Sequence, residues 1–299
     1  MLAEFALDPA LMGNWRDFRF FVAQFGVAQG RLISRFPKAW KDMVRTAAAS
    51  AGEVEFLRIV EALNRIDECM LVREYDYQKQ HTWIRNAIDE NTRRPFHAIV
   101  AGGAYPSVLN LLEASDIDPT NPPTLWKVPK SVNIERTPVQ MASCVACLLS
   151  QCSEIIFIDP YFGPGKKKHT EPLKHFLQAI AARGTRKMPI RIEYHTGNQD
   201  LGTAKFQSDL DTWVQPHLPS KVALSVVRWD KDQMHNRYIV TERGGVMFGH
   251  GLDQDDAIPV GHDTVTLLEV ATCSELMHDY SPQSKKLKWL NEIFTVAGL

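Results

Sequence analysis

Nine residues that start at Glu154, EIIFIDPYF, constrain the fold more than any other part of the sequence. The segment opens with a run of apolar residues that is stopped by Asp159 and Pro160. A short, continuous apolar run of this kind is typical of a strand that is buried on both faces of a parallel or mixed sheet. Because polar residues at the carboxyl ends of strands gather around a site in open α/β folds, Asp159 predicts a crevice at the end of this strand.

The sequence on either side of this strand alternates between helical and extended patterns. Thr137 and Pro138 suit the cap and first turn of a helix that continues as VQMASCVACLLSQC. After the strand, PLKHFLQAIAAR and AKFQSDLDTWVQPHL predict helices, while PIRIEYHT, VALSVVRW, MHNRYIVT and GGVMFGHG predict strands, the last two as a hairpin. The segment around Trp289 predicts a closing helix. This order predicts an α/β fold with a mixed sheet flanked by helices, and it places His195 at a strand end, as it does Asp159.

The first 130 residues have a different pattern. From Pro9 to about Asn91, apolar residues recur at three- and four-residue spacing in FRFFVAQFGVAQGRLISRF and EVEFLRIVEALNRIDECMLV, which predicts helices. PFHAIVAGG then suits one buried strand, and the proline-rich stretch before Thr137 suits a linker. We therefore predict a mainly helical accessory domain with a linker at residues 1–130 and the mixed α/β domain at residues 131–299.

Charge and composition exclude several classes of protein. Lys and Arg number 34 against 35 Asp and Glu, so the chain lacks the overall positive charge of a protein that binds nucleic acid with its whole surface. The N-terminus has no basic segment followed by a long apolar run, and no stretch reaches the roughly 18–20 apolar residues of a membrane helix. These features predict a cytoplasmic protein without a transmembrane segment.

Two local clusters are candidate sites. Cys144 and Cys147 form a CxxC motif inside an apolar helical pattern, without a second such pair, so buried thiols are favoured over a metal or redox site. We predict neither a metal nor a cofactor. Lys166, Lys167 and Lys168 follow the DPYFGPG turn, and at the mouth of the crevice they would attract a phosphodiester or nucleic acid. A solvated loop is the alternative for these lysines.

The segment HNRYIVTE carries the clearest chemical signal. On an extended strand, residues two apart share a face, so His235 and Arg237 point the same way. Histidine can attack phosphorus or move a proton, and arginine can grip two phosphate oxygens through its planar fork. The alternative is a strand histidine that is satisfied by the backbone. The spacing to Glu242 and to the Gly-His-Gly-Leu-Asp turn at Gly249 favours a site.

This segment resembles the HxK(x)4D(x)6GS signature of the phospholipase D superfamily and reads HxR(x)4E(x)6GH here. The resemblance implies a phospholipase D-like sheet, a covalent phospho-histidine at His235, a phosphate ligand at Arg237 and chemistry without metal. Arg237 stands where the signature has lysine, Glu242 where it has aspartate, and His250 where it has serine. In the family a late acid often orients the histidine, a role that Glu269 would fill by pairing with His235 or Arg237. An edge-strand position facing water is the alternative for Glu269.

Two groups within the superfamily are closer in pattern. The phospholipase D-like module at the C-terminus of some MIT-domain proteins shares the IDPY strand, HxR and GxGLD, which correspond here to Asp159, His235, Arg237 and the turn that ends at Asp253. Such modules are thought to bind lipid head groups, and the match covers about 160 residues. The chain also resembles bacterial phospholipase D-like proteins encoded near antiphage defence genes, where nuclease activity is suspected.

Family enzymes place two histidines against one phosphate, and this chain has a single HxR motif, so an active form is predicted to be a homodimer. The predicted catalytic residues are His235, Arg237, Glu242 and Glu269. Asp159, His195, His250 and Asp253 are predicted to support the pocket. Three hypotheses of function follow: a metal-independent nuclease, a catalytically silent module that binds nucleic acid or phospholipid head groups while the helical domain recruits a protein partner, and a purely structural subunit of a defence complex.

Overall fold

The structure is a computed structural model that describes residues 1–105, 107–183, 188–281, 283–284 and 286–298. The chain forms two compact units, Leu2–Pro129 and Lys130–Leu299, the second of which also takes in Met1. Within the described ranges, no helix combines the length and the apolar character needed to cross a lipid bilayer.

The first unit is built around a parallel sheet of five strands in the order β3-β2-β1-β4-β5. The strands are β1 (Ala3–Leu7), β2 (Arg31–Ser34), β3 (Met70–Leu71), β4 (Ala98–Ala101) and β5 (Leu111–Glu113). The α-helices are α1 (Trp15–Gln24), α2 (Trp40–Ala48), α3 (Glu53–Leu63) and α4 (Trp83–Arg93). Phe5 and Leu7 pack into one core and Ala6 into another, so both faces of the sheet are covered.

The prediction of a mainly helical N-terminal domain is therefore wrong. The strands β2 and β3 lie within the two segments whose apolar spacing predicted continuous helices. A strand buried on both faces is a short continuous apolar run, which hydrophobic periodicity cannot distinguish from a piece of buried helix. The recruitment of a protein partner by this unit stays a prediction.

The second unit contains a mixed sheet of eight strands in the order β13-β9-β8-β7-β10-β11-β12-β6. The strands are β6 (Ser131–Glu135), β7 (Glu154–Ile158), β8 (Arg191–Thr196), β9 (Ala223–Trp229), β10 (Arg237–Thr241), β11 (Gly244–Phe248), β12 (His262–Leu267) and β13 (Trp289–Ala297). The α-helices are α5 (Pro138–Leu149), α6 (Lys167–Ala181), α7 (Thr203–Trp213) and α8 (Val270–Asp279). Strands β7, β8 and β9 are parallel, and the remaining pairs are antiparallel.

Aromatic residues fill one face of this sheet. Phe157 on β7 stacks on Phe176 of α6 with ring centroids 5.7 Å apart, and Phe176 meets Phe248 of β11 edge to face. The opposite face packs Val240 of β10 and Trp229 of β9 into a core with the residues of α8. Both faces of the central strands are thus buried, as the apolar run of β7 predicted.

Two local predictions in this unit have opposite outcomes. Thr137 caps α5 by accepting a hydrogen bond from the amide of Gln140, with Pro138 in the first turn, which confirms the predicted helix start. The predicted closing helix is wrong, because that segment forms β13 and pairs with β9. Phe294 and Val296 are buried while Thr295 is exposed, a two-residue period that indicates a strand.

Candidate functional site

Three chain segments leave the sheet of the second unit at one edge, which we call the carboxyl edge. The first follows β7 and begins at Asp159. The second precedes β10, which runs antiparallel to β7 with Tyr238 opposite Ile158. The third is the turn Gly249–Asp253, the glycine turn, which follows β11 where Phe248 pairs with Arg237. The topology therefore gathers residues that are distant in sequence.

Asp159 joins the first of these segments to the glycine turn. Its side chain is buried, and its two oxygens accept hydrogen bonds from the amides of Tyr161 (2.8 Å) and Leu252 (2.9 Å). Burial raises the pKa of this carboxyl group, and the two amide hydrogen bonds and the charge of Arg237 oppose that rise. Asp159 thus holds two turns together beside a cation.

Asp253 anchors the far end of the glycine turn. One carboxylate oxygen accepts a hydrogen bond from Arg136 Nη2 at 2.8 Å, and the other accepts one from Lys168 Nζ at 3.0 Å. Asp263 of β12 holds the near end, because its Oδ1 accepts a hydrogen bond from the amide of His250 at 3.1 Å. Side chains from several elements therefore fix the position of this turn.

A cleft of about 170 Å³ opens at the carboxyl edge. Residues that line it include Tyr161, Lys166, Lys168, His169, Asn198 and Lys231. Lys168 is already paired with Asp253, and Lys166 Nζ lies 4.0 Å from Asp200. The first turn of α6 borders the cleft, and the positive end of its helix dipole favours a bound anion. Lys167 is exposed at the start of the same helix.

Tyr161 is the centre of the cationic part of this site. Its side chain is 50% exposed, and the ring centroid lies 5.2 Å from Lys231 Nζ and 5.1 Å from Arg237 Cζ. Among the described residues, neither cation makes an ion pair. Arg237 donates a hydrogen bond to the carbonyl oxygen of His235 at 2.9 Å, while its buried Nε has no hydrogen-bond partner within the described ranges. Two cations close to an exposed ring form a surface for an anion and for a planar group.

His235 lies in the segment that connects a short 3-10 turn to β10, and it is exposed. Its carbonyl oxygen is occupied by Arg237. No side chain or backbone group in the described part of the chain hydrogen-bonds to its ring, so both ring nitrogens face solvent or a ligand.

His195, which was predicted to support the pocket, is instead enclosed in the core. Its Nδ1 accepts a hydrogen bond from Trp229 Nε1 at 2.8 Å, and its Nε2 lies 3.0 Å from a carboxylate oxygen of Glu193. Burial lowers the pKa of His195, with Glu193 opposing that effect. Both ring nitrogens are therefore satisfied by protein groups, which leaves none for a ligand.

Glu242 and Glu269 lie at the opposite edge of the sheet from His235. Glu242 accepts hydrogen bonds from the amides of Ser153 (2.7 Å) and Glu154 (2.9 Å), where β7 begins. Asn236 and the five residues of β10 lie between Glu242 and His235, and the strand alone is roughly 16 Å long at about 3.3 Å per residue. Glu269 precedes α8, is 73% exposed at its side chain and contacts Lys130 at 3.8 Å, so it pairs with neither His235 nor Arg237.

Several residues of the site had no clear signal in the sequence. Lys231 follows β9, and only the sheet topology brings it to Tyr161. Asp263 could have been found, because it occupies an inward position of the alternating strand HDTVTL, where a charged residue needs a partner. Among the described residues, no group of three or more His, Cys, Asp or Glu side chains is arranged to hold a metal ion.

Comparisons with known proteins add little to this geometry. No protein-family model and no curated protein sequence matches the chain. One matching solved structure is that of TrmBL2, described as an archaeal chromatin protein with a novel mode of DNA binding, at 10% sequence identity and a TM-score of 0.28. The match covers 54% of this chain and 55% of that one, so this chain spans about half the length of the archaeal protein. A likeness at this score carries no argument about fold or function.

Proposed function

We propose that the second unit binds the phosphodiester backbone of a nucleic acid at the carboxyl edge and hydrolyses it without a metal ion. The observation that carries this proposal is the pair of cations, Lys231 and Arg237, on the exposed ring of Tyr161, neither of which is paired with a carboxylate in the described structure. Cations that are not neutralised by the protein are available to an anionic ligand.

Each group at the edge has a chemical role in this proposal. Arg237 binds phosphate through the charge and the planar fork of its guanidinium group, whose Nη1 also donates a hydrogen bond to the carbonyl oxygen of His235. Lys231 adds a second positive charge, and Tyr161 offers a face on which a base can stack. His235, whose ring makes no hydrogen bond within the described structure, attacks phosphorus, which is the step that the phospholipase D resemblance implies.

The hydrolysis needs a second imidazole to protonate the leaving oxygen. A two-fold homodimer would bring His235 of a second copy against the same phosphate, as the single HxR motif predicts. A histidine of the same chain is the other source, and it is argued in the next subsection.

A second candidate function is binding without turnover. It is favoured by one observation, the position of Glu242 and Glu269, because neither of these two acids predicted to be catalytic lies near His235. A site that kept Arg237 and Lys231 but lost chemistry would bind nucleic acid or a phospholipid head group and release it unchanged.

The test uses labelled single- and double-stranded DNA and RNA incubated with the full chain in EDTA. Wild type, His235→Ala and Arg237→Ala are compared with His278→Ala, which removes an exposed histidine on α8 of the same unit. We expect cleavage by wild type and by the control, and its loss in His235→Ala. Equal activity in wild type and His235→Ala would remove His235 from the mechanism.

Binding of the same oligonucleotides separates the two functions. Arg237→Ala should weaken binding roughly tenfold to a hundredfold, the range for a lost hydrogen bond to a charged group. The slope of log affinity against log salt for a single strand should fall by roughly 0.7 for each phosphate contact removed. Binding that Arg237→Ala weakens, together with no cleavage by wild type, would support the second candidate, whereas the absence of both activities would contradict both functions.

A further inference from the structure

His250 is held by a buried carboxylate. Its side chain is 64% exposed, and its Nδ1 lies 3.3 Å from Oδ1 of Asp263, whose side chain is only 1% exposed. The same oxygen accepts a hydrogen bond from the backbone amide of His250. A Cβ atom at the neighbouring Gly249 would come within 2.8 Å of this oxygen, so glycine at that position leaves room for the carboxylate. One residue of β12 thus fixes both the backbone and the ring of His250.

The second oxygen of Asp263, Oδ2, is buried without a hydrogen-bond partner within the described ranges. A buried carboxylate is unfavourable unless a positive charge or a set of donors compensates it. Within the described structure, the ion-pair contact of this carboxylate is with the ring of His250. When it is protonated, the ring compensates the charge of the carboxylate.

The contact also sets the chemistry of the ring. A carboxylate at Nδ1 favours the tautomer with the proton on that nitrogen and leaves Nε2 as the nitrogen that exchanges protons with a ligand. This arrangement of acid and histidine is the one used for general acid–base catalysis, where the acid orients the imidazole and stabilises its protonated form. The role expected of Glu269 toward His235 is therefore filled by Asp263 toward His250.

The pairing of β10 with β11 brings the segments that carry His250 and His235 to the same edge of the sheet. Arg237 is opposite Phe248 in that antiparallel pair. His235 precedes this last pair by two residues and His250 follows it by two, so both belong to segments that leave the sheet at the carboxyl edge beside the same pair. Both histidines are exposed at this edge.

We infer that His250, oriented by Asp263, is the general acid and base of the hydrolysis, so that one chain supplies both imidazoles. The inference rests on the function proposed above. In the first step His235 forms a bond to phosphorus, the bond from phosphorus to the leaving oxygen breaks, and protonated His250 gives its proton to that oxygen. In the second step His250 takes a proton from water, whose oxygen bonds to phosphorus as the bond to His235 breaks, which regenerates both rings.

The experiment compares two substrates that differ in their need for an acid. An oligonucleotide releases an alkoxide, which must be protonated, whereas bis(p-nitrophenyl) phosphate releases p-nitrophenolate, which leaves without help. We expect His250→Ala to lower kcat on the oligonucleotide by roughly 10²–10⁴-fold, the usual contribution of general acid–base catalysis, with little change in KM. On the nitrophenyl ester it should retain a burst of p-nitrophenolate, followed by slow turnover because the general base is missing.

Two further variants separate chemistry from folding. Asp263→Asn keeps an oxygen for the amide of His250 but removes the charge, so kcat should fall while KM stays near that of wild type. His262→Ala, which removes the exposed histidine next to Asp263 on the same strand, is the matched control and should behave as wild type. Free imidazole should partly restore turnover to His250→Ala, which it would not do for a structural defect.

The outcomes distinguish this inference from the function on which it rests. Cleavage by wild type that is lost in His235→Ala but unchanged in His250→Ala overturns the inference alone, and activity confined to the dimeric fraction would then assign the second imidazole to a symmetry mate. Loss in His250→Ala on both substrates without a burst overturns it as well, because the residue would then be needed for folding or binding. No cleavage by wild type overturns both the inference and the hydrolytic function.

Discussion

Replacing Asp159 with alanine tests whether one carboxylate holds the carboxyl edge together. The substitution leaves the amides of Tyr161 and Leu252 without the acceptors that now lie at 2.8 and 2.9 Å. A buried donor left unsatisfied costs roughly 1–3 kcal/mol, so the two amides together account for roughly 2–6 kcal/mol. The carboxylate itself is unfavourably buried, as its raised pKa indicates, and removing it recovers this cost. The net loss of stability should therefore be roughly 2–4 kcal/mol.

The assay must report on the second unit alone, because a chain of two units need not unfold in a single transition. Native-state hydrogen exchange of the β7 amides measures the opening free energy of this unit, and exchange at Tyr161 and Leu252 reports on the two turns. Asp200→Ala is the control, since this carboxylate is 72% exposed and lies 4.0 Å from Lys166, a contact expected to contribute under about 1 kcal/mol. If Asp159→Ala matched this control and both amides kept their protection, the carboxylate would not be what joins the turns.

Three other perturbations have defined outcomes. Burial lowers the pKa of His169 to about 4 from 6.5, so between these pH values the unfolded state binds a proton that the folded state does not. The second unit should therefore lose stability as pH falls through that window, by up to about 1.4 kcal/mol per pH unit. Hydrogen exchange should show this slope in wild type and not in His169→Gln. Arg73→Met should lower the stability of the first unit, measured by urea unfolding, by roughly 3 kcal/mol, because it removes a buried cation 3.0 Å from the buried carboxylate of Glu90. Arg93 still contacts this carboxylate in the variant, so its charge is not left wholly uncompensated. Trp40→Phe removes the indole donor 2.7 Å from the carbonyl oxygen of Leu7 and should lower the urea midpoint by the equivalent of roughly 1–3 kcal/mol, whereas an unchanged midpoint would mean that this hydrogen bond contributes nothing net.

The sequence could predict those parts of the fold whose signal is local. The apolar run of β7, the cap at Thr137 and the hairpin of β10 and β11 are each set by neighbouring residues, and each is found. The parallel strands of the first unit were missed because β2 and β3 are only four and two residues long and are embedded in helix-like spacing. Their state is set by pairing with distant strands, which no local pattern records.

The residues of the candidate site also differ in whether their signal in the sequence is local. Asp159, His235 and Arg237 were predicted from a strand end and a motif, and all three lie at the carboxyl edge. Glu242 has the spacing of the motif, but the five residues of β10 place it at the opposite edge of the sheet. A spacing that matches a motif therefore does not imply that Glu242 lies near His235. Asp263 reaches the edge only through the pairing of β12 with β11, and a spacing rule along one strand does not contain that information.

The most direct test of the central claim is to find the covalent intermediate on the protein. Cleavage by trypsin after Lys231 and Arg237 releases residues 232–237, a peptide whose single histidine is His235. After a single turnover of bis(p-nitrophenyl) phosphate in EDTA and an alkaline quench, which preserves the bond between phosphorus and nitrogen, mass spectrometry should find the p-nitrophenyl phosphoryl adduct on this peptide. More of the adduct should accumulate in His250→Ala, whose second step lacks its general base. Cleavage of the substrate with no adduct on this peptide, or with an adduct on another residue, would contradict the account.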